Sequence, residues 1–430
     1  MKYFFAWLAV TFSLAVFNPA NAQEDDYLTE WKAKCIPLLA EWRKAEARNN
    51  TDLRDRLIEA AVRSEQSEIV DEVAAGGDVA SLEIKLPAEA RKIVAKTVRR
   101  FEEIPTVPYG SQMDCVIRRM TKTRLEAWTP KTGWLFDAKG RVLNEALPPR
   151  RDGFGREWHG AFLPDGSWIT TDLWEMDKTL TFFSRKGKWL KDIKVAELAP
   201  AGPDEHWGLN LIGWARCDQQ GEGWVVSVGD GPGRAQVFVK PQGKPRLLED
   251  GNAVWKLCYP RDVEPKGMFT GLDRPSDDCK VLIHFSCPAH GMWVGYPTYT
   301  WGEKENGGKI ISGGDHNFGF LPGSHDVFVG ASDCDNGDGT DRRHLKTWFF
   351  TVDGKCRGWI RAAYLTDSPD GKATWYADDE GCVVVIGADL KLQDRMHFVI
   401  EGENATPVKL FTDLSLGFFC LGKRLVLASW

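Results

Sequence analysis

"HGAFLPDGSWITTDLWEMDKTLTFFSRKGKWLKDIKV", residues 159–195, decides how the rest of the chain is read. "GAFL" and "SWITT" are short apolar, β-branched runs on either side of Pro164-Asp165-Gly166, and "TLTFF" and "KWLKDIKV" flank "SRKG". Runs of this length, interrupted by Gly, Pro, Asp and Ser, have the signature of four strands joined by hairpins. The same organisation recurs at 210–250, from Asn317 and from Ala373, with a less regular unit near Met268 whose second strand is "CKVLIHFSC". Second strands are expected to start near Ser167, Gly223, Cys279, Asp326, Cys382 and Arg424.

A repeat of about fifty residues with four strands in each unit is the period of propeller blades. The ends of the β-region carry only half a unit each: "GWLFDAKGRVLNEAL" (133–147) and "GFFCLGKRLVLASW" (417–430). Joined as one shared blade, they would leave no free sheet edge. The expected fold is therefore mainly β, a β-propeller over 123–430 closed by pairing of its N- and C-terminal strands. The count is six blades, or seven if "AVWKLCYPRDV" (253–263) begins another.

The "F-x-x-x-G-K/R-x-L" hairpins at Phe136–Leu143 and Phe183–Leu190, together with the turn at Pro164–Gly166, resemble those of six-bladed β-propellers, the NHL-repeat architecture among them. The resemblance is one of architecture. It carries over no catalytic residues, because propellers serve as binders, scaffolds and enzymes.

Upstream the period changes. Residues 1–22 have one early positive charge at Lys2, an apolar stretch from Tyr3 to Phe17, and Ala20-Asn21-Ala22, the layout of a secretory signal peptide cleaved after Ala22. No later segment is apolar enough to span a membrane, so localisation is expected to be secreted or periplasmic, with no membrane span after cleavage. Residues 23–110 read as an α-helical region: Trp31, Cys35, Leu38, Leu39 and Trp42 recur at three- and four-residue spacing. Leu53, Leu57, Ile58, Ala61 and Val62 repeat the pattern, and "PAEARKIVAKTVRRFEEIP" (87–105) supplies a third helix.

Fifty-five basic against sixty-one acidic residues leave a net charge of −6, which gives no support for a nucleic-acid partner. Ten cysteines in an exported chain suggest disulfides whose connectivity the sequence does not fix; proximity favours Cys279–Cys287 and Cys334–Cys356, and Cys35 could pair with Cys115.

In a propeller the first strand of each blade lines the central channel, and the connection entering it lies at one mouth. Arg156, Glu157, Trp158 and His159 fall at one such entry, Glu205, His206 and Trp207 at another, Asp315 and His316 at a third, and Trp375 and Tyr376 at the start of a fourth. His159, His206 and His316 each follow an acidic residue by one or two positions. Imidazoles oriented by carboxylates can hold a transition metal or move a proton. The aromatics there can stack on sugar rings. A second cofactor candidate is "SDCDNGDGTDRR" (332–343), where Asp333, Asp335, Asp338 and Asp341 offer the hard oxygen ligands that calcium prefers.

The leading expectation is an exported propeller that binds a carbohydrate or protein ligand at the channel mouth. The alternatives are a metal-assisted lyase or hydrolase acting on an acidic saccharide through the three histidines, and a scaffold of an envelope assembly docked through its helical region.

Overall fold

The computed structural model describes residues 44, 75–76, 79–103, 116–129, 132–147, 158–172, 179–198, 212–218, 220–228, 235–248, 273–275, 281–285, 292–295, 309–312, 316–331, 346–368, 370–422 and 424–430. The described strands open with β1 (Arg91–Glu103), which lies apart from the first sheet. Sheet 1 is β2 (Val116–Thr121), β3 (Arg124–Trp128), β4 (Gly133–Asp137) and β5 (Val142–Ala146). Sheet 2 is β6 (Trp158–Phe162), β7 (Trp168–Asp172), β8 (Thr179–Phe183) and β9 (Trp189–Lys194). Sheet 3 is β10 (Ile212–Cys217), β11 (Trp224–Val228), β12 (Ala235–Val239) and β13 (Arg246–Leu248). Sheet 4 is β14 (Asp273–Pro275), β15 (Leu282–Phe285), β16 (Met292–Gly295) and β17 (Lys309–Ser312). Sheet 5 is β18 (His316–Phe320), β19 (Val327–Ala331), β20 (Thr347–Phe350) and β21 (Cys356–Ile360). The last strands are β22 (Ala362–Asp367), β23 (Ala373–Asp378), β24 (Val383–Gly387), β25 (Leu392–Ile400), β26 (Glu403–Phe411), β27 (Leu416–Leu421) and β28 (Arg424–Ser429).

Each of sheets 1 to 5 is an antiparallel meander in chain order, and the remaining strands form one eight-stranded sheet ordered β1-β28-β27-β26-β25-β24-β23-β22. First strands of neighbouring sheets touch, β6 against β10, β18 against β22 and β22 against β26. Outer strands such as β9 and β13 are largely exposed. This radial arrangement is a β-propeller.

The eight-stranded sheet divides into two four-strand units, β22–β25 (sheet 6) and β26–β28 with β1 (sheet 7). The described strands thus fill seven units, not six. Two features of the sequence hide the extra one. A single residue, Arg361, separates β21 from β22, so "CRGWIRAAYL" carries no turn signal. That shifts the next unit by one strand. The half-unit at 133–147 is preceded by β2 and β3, so sheet 1 is complete in itself.

Closure also differs from the expected pairing. It is made by β1, which falls in the segment read as a third helix. β1 runs parallel to β25 over Arg91–Ala95 and antiparallel to β28 over Lys96–Glu103. "RKIVAKTVRRFEE" fits both periods, and the β-branched Ile93, Val94, Thr97 and Val98 suit a strand when a partner exists. Ala95 and Phe101 face the core, whereas Lys92, Val94, Lys96, Val98 and Arg100 are exposed. Phe101 meets Trp134 at 4.8 Å and Phe418 at 5.9 Å between ring centroids, which joins sheet 7 to sheet 1. The first two expected helices lie outside the described residues, apart from Lys44, which is helical.

One turn recurs around the ring. At 137–141, 163–167, 184–188, 351–355, 378–382 and 387–391 the first residue's N–H donates to the fifth residue's carbonyl, and the fourth residue's N–H donates back to the first. The fourth position has positive φ, glycine in five cases and Leu390 (φ 62°) in the sixth. This is a three-residue hairpin loop built on a type I turn with a bulge.

Cys356 is a free thiol, so the expected Cys334–Cys356 bridge is not formed; Cys382 is free as well. Burial pushes the Cys356 thiol up to about 11. The other two expected pairs lie outside the described residues. Among the described residues no helix is long and apolar enough to cross a membrane.

Candidate functional site

An antiparallel meander alternates its ends, so all connections entering first strands share one face with the second-to-third connections. The turns between strands one and two, and three and four, share the opposite face. Trp158 and His159 open β6, and His316 opens β18, which puts all three on the entry face of the ring. Their hairpins match around Phe162-Leu163-Pro164 and Phe320-Leu321-Pro322. In that alignment His316 corresponds to Trp158, and His159 to Asn317, so the two histidines stand one register position apart. Arg156, Glu157, Glu205, His206, Trp207, Asp315 and the aspartates Asp333, Asp335, Asp338 and Asp341 lie outside the described residues. Among the described residues no group of three or more His, Cys, Asp or Glu is placed to hold a metal ion.

Trp375 and Tyr376 are not at an entry. They lie on β23, the second strand of sheet 6, because β22 precedes it. Tyr376 is fully buried, edge-on to Phe349 at 5.9 Å and Phe328 at 6.1 Å, and burial raises its phenol well above the ordinary value. Trp375 packs on the core between sheets 6 and 7. Tyr376 is a packing residue, and Trp375 is half-buried against the same core.

A charge pair, half-buried Arg118 with fully buried Glu126, positions β6. Arg118 on β2 donates from Nη2 to the carbonyl of Gly160 at 2.7 Å and from Nη1 to the carbonyl of Ala215. Its Nε lies 3.0 Å from Glu126 Oε1. Glu126 Oε2 accepts from the N–H of Phe162 and from Trp128 Nε1, each at 2.8 Å. One guanidinium therefore ties the inner strands of sheets 1, 2 and 3. Burial is the largest influence on Arg118 and lowers its pKa, with the Glu126 charge opposing that shift. Both Nη groups of Arg118 and Oε2 of Glu126 are hydrogen-bonded inside the fold, while Nε faces Glu126 Oε1 as an ion pair without hydrogen-bond geometry, so the pair is a positioning device for the strand that carries His159. Gly160 is part of it, since a Cβ there would come within 2.4 Å of the Trp128 ring. The available sequence signal is Glu126, alone among Leu125, Ala127 and Trp128 in a strand-like run.

One further constellation has the order of an acyl-transfer triad. Cys382 Sγ lies 3.6 Å from His397 Nδ1, and His397 Nε2 lies 2.8 Å from Asn404 Oδ1. Nucleophile, base and orienting group are in reach of one another. The thiol nonetheless stays protonated at neutral pH: burial and the neighbouring Asp378 push it up to about 11. Cys382 is also only 2% exposed. A substrate carbonyl has no approach to it, and the group is structural.

Among solved structures, the chain is similar to the C-terminal WD40 domain of Sif2, with a TM-score of 0.41 and 9% identity over 80% of this chain and 99% of that one. It is also similar to the β-propeller domain of Myceliophteria thermophila Cps50 (Swd1), with a TM-score of 0.36 and 8% identity over 78% of this chain and 99% of that one. No family model matches the chain. No curated protein matches it.

Proposed function

We propose that this chain is an exported binding protein that takes a carbohydrate or protein ligand at the mouth where the inner strands begin. The observation that carries the reading is the convergence of first strands, β6 on β10, β18 on β22 and β22 on β26. The first residues of these strands, Trp158 and His159 on β6 and His316 on β18, begin on one face of the ring. Arg118 and Glu126 hold these strands, and recognition is assigned to the strand entries. Export rests on the N-terminal signal pattern, with a mature chain beginning at Gln23.

The test is a glycan array and a saturation-transfer NMR titration of the purified full chain, repeated on Trp158→Ala with matched thermal stability. A glycan bound by the wild type and lost in the variant supports the carbohydrate reading. Binding that survives Trp158→Ala together with His159→Ala and His316→Ala places the site elsewhere and overturns the reading. A glycan that is cleaved during the titration moves the assignment to the enzyme class.

A further inference from the structure

The outer turns of sheets 1, 2 and 3 lie on the face opposite the inner-strand entries, and they are basic. The turn "DAKGR" (137–141) exposes Lys139 and Arg141, and "SRKGK" (184–188) exposes Arg185, Lys186 and Lys188. The segment 240–246 adds exposed Lys244 and Arg246. The three turns are physically joined. Asn144 Nδ2 on β5 donates to the carbonyls of Gly166 at 2.7 Å and Arg185 at 3.0 Å. Lys191 Nζ on β9 donates to the carbonyls of Lys240 at 3.0 Å and Gly243 at 3.4 Å. The result is an arc in which seven exposed lysines and arginines outnumber the exposed carboxylates Asp165, Asp192 and Glu222, Asp192 accepting from Trp189 Nε1 at 3.1 Å and Glu222 pairing with Lys240 at 2.7 Å, on a chain whose overall charge is −6.

Local turn chemistry does not account for this charge. At the third position of the same turn elsewhere stand Asp165, Asp353 and Asp389. Asp165 accepts the N–H of Ser167 at 2.8 Å, and Asp389 that of Lys391 at 3.1 Å, the self-capping for which aspartate is favoured in turns. Sheets 1 and 2 put Lys139 and Lys186 at this position. The cap is then supplied from the first position, by Asp137 to the N–H of Lys139 at 2.9 Å and by Ser184 to the N–H of Lys188 at 3.1 Å. Lys139, Lys186, Lys188 and Lys244 have no ion-pair partner among the described residues.

The middle of the arc is a strand edge. β9 ends sheet 2 and pairs only with β8 among the described strands. Its first residues are apolar and exposed, Trp189 at 56% and Leu190 at 40%. An unpaired main-chain edge with apolar side chains and flanking cations is the surface that an extended peptide completes by adding a strand. We propose that this arc docks an acidic, extended segment of a partner protein along β9, carboxylates on the lysine turns and apolar side chains on Trp189 and Leu190. Guarding of the edge by lysines alone is the competing account, and it predicts no ligand.

The probe is a fluorescein-labelled twelve-residue peptide of alternating glutamate and valine, titrated against the full chain by anisotropy. Saturable binding that weakens about tenfold or more between 50 mM and 500 mM salt is expected, since exposed charges are screened over that range. Lys186→Glu with Lys188→Glu should weaken binding at least about tenfold, and Trp189→Ser about threefold. The matched reversal Lys355→Glu with Lys372→Glu, on sheets 5 and 6, should change it less than about twofold. Circular dichroism melts establish that all variants are folded. Absence of saturable binding, equal losses in the two reversals, or preference for a sulfated polysaccharide or anionic vesicles over the peptide each overturns the proposal. This surface is separate from the mouth at the inner-strand entries, so its failure leaves that reading untouched.

Discussion

Sheet 2 and sheet 7 are built from the same kind of strand yet are held in different ways. Sheet 2 takes its four strands from one stretch of chain, Trp158 to Lys194, and recurring turns at 163–167 and 184–188 set its β6–β7 and β8–β9 registers. Sheet 7 takes three strands from the C-terminus and its fourth, β1, from more than three hundred residues upstream. No turn sets the register of β1. Side-chain fit does: Ala95 and Phe101 face inward, and Arg91 pairs with Asp394 at 2.5 Å. The pairing has two register shifts, between Thr97 and Arg99 and between Arg100 and Glu103, where the β8–β9 hairpin of sheet 2 has one, between Phe182 and Phe183. Local closure makes a sheet tolerant of one weak contact. Remote closure concentrates the ring's integrity in a few side chains, because the loop-closure entropy is recovered only when all of them seat.

The largest effect is therefore expected at Phe101. Phe101→Asp removes a buried ring from against Trp134, Phe136 and Phe418 and puts a carboxylate in its place. The loss should exceed about 5 kcal/mol, and trypsin should cut at Arg99 and Arg100 in the folded remainder. Phe182→Asp in sheet 2 should cost a similar amount globally while leaving β1 protected at early times. If both variants free β1 equally fast, the two regions form one cooperative unit and the contrast fails.

Arg395 comes next. It donates from Nε to Asp378 at 2.8 Å, from Nη2 to Glu380 at 2.6 Å, and from Nη1 to the carbonyls of Pro87 at 2.7 Å and Ala88 at 3.1 Å. It thus anchors the chain just before β1 to the 378–382 turn. Arg395→Met leaves the fully buried Asp378 without its cation and should cost roughly 3–5 kcal/mol in chemical denaturation. Arg395→Met with Asp378→Asn, which keeps the oxygen that accepts from the N–H groups of Glu380 and Cys382, should recover most of that loss if the pair, and not the Pro87 and Ala88 contacts, carries it.

The smallest effect sharpens the local side of the comparison. At Asp137 burial works to raise the pKa, but the backbone N–H groups of Arg141 and Lys139 and the Arg141 guanidinium prevail and hold it below the ordinary value. A depressed carboxyl stabilises the fold fully above the unfolded value of about 4, and that stabilisation is lost as pH falls through the folded one. Asp137→Asn should cost roughly 1–2 kcal/mol at pH 7 and progressively less toward pH 2. An unchanged difference across that range would show that the turn is held by its backbone alone.

Strand content and the repeat were legible in residues 159–195 because each hairpin carries its own turn chemistry within five residues. The four-strand period followed wherever such turns occur, and failed at Arg361, where none does. The entry positions of Trp158, His159 and His316 were readable from the same punctuation. Those of Trp375 and Tyr376 were displaced by the hidden strand β22. Arg118 and Glu126 were passed over, since this ion pair depends on two residues from different strands meeting the carbonyls of two further sheets.

What the sequence alone determined, then, is everything that short-range forces decide: alternation within strands, turn type, and the basic character of the outer turns. The partner of β1 was left to the tertiary structure. "RKIVAKTVRRFEE" satisfies a helical face and a strand face equally well, and local propensities differ by less than the burial of Phe101 is worth. Only the vacant edge of β28, with the aromatic core of sheets 1 and 7 behind it, breaks that tie.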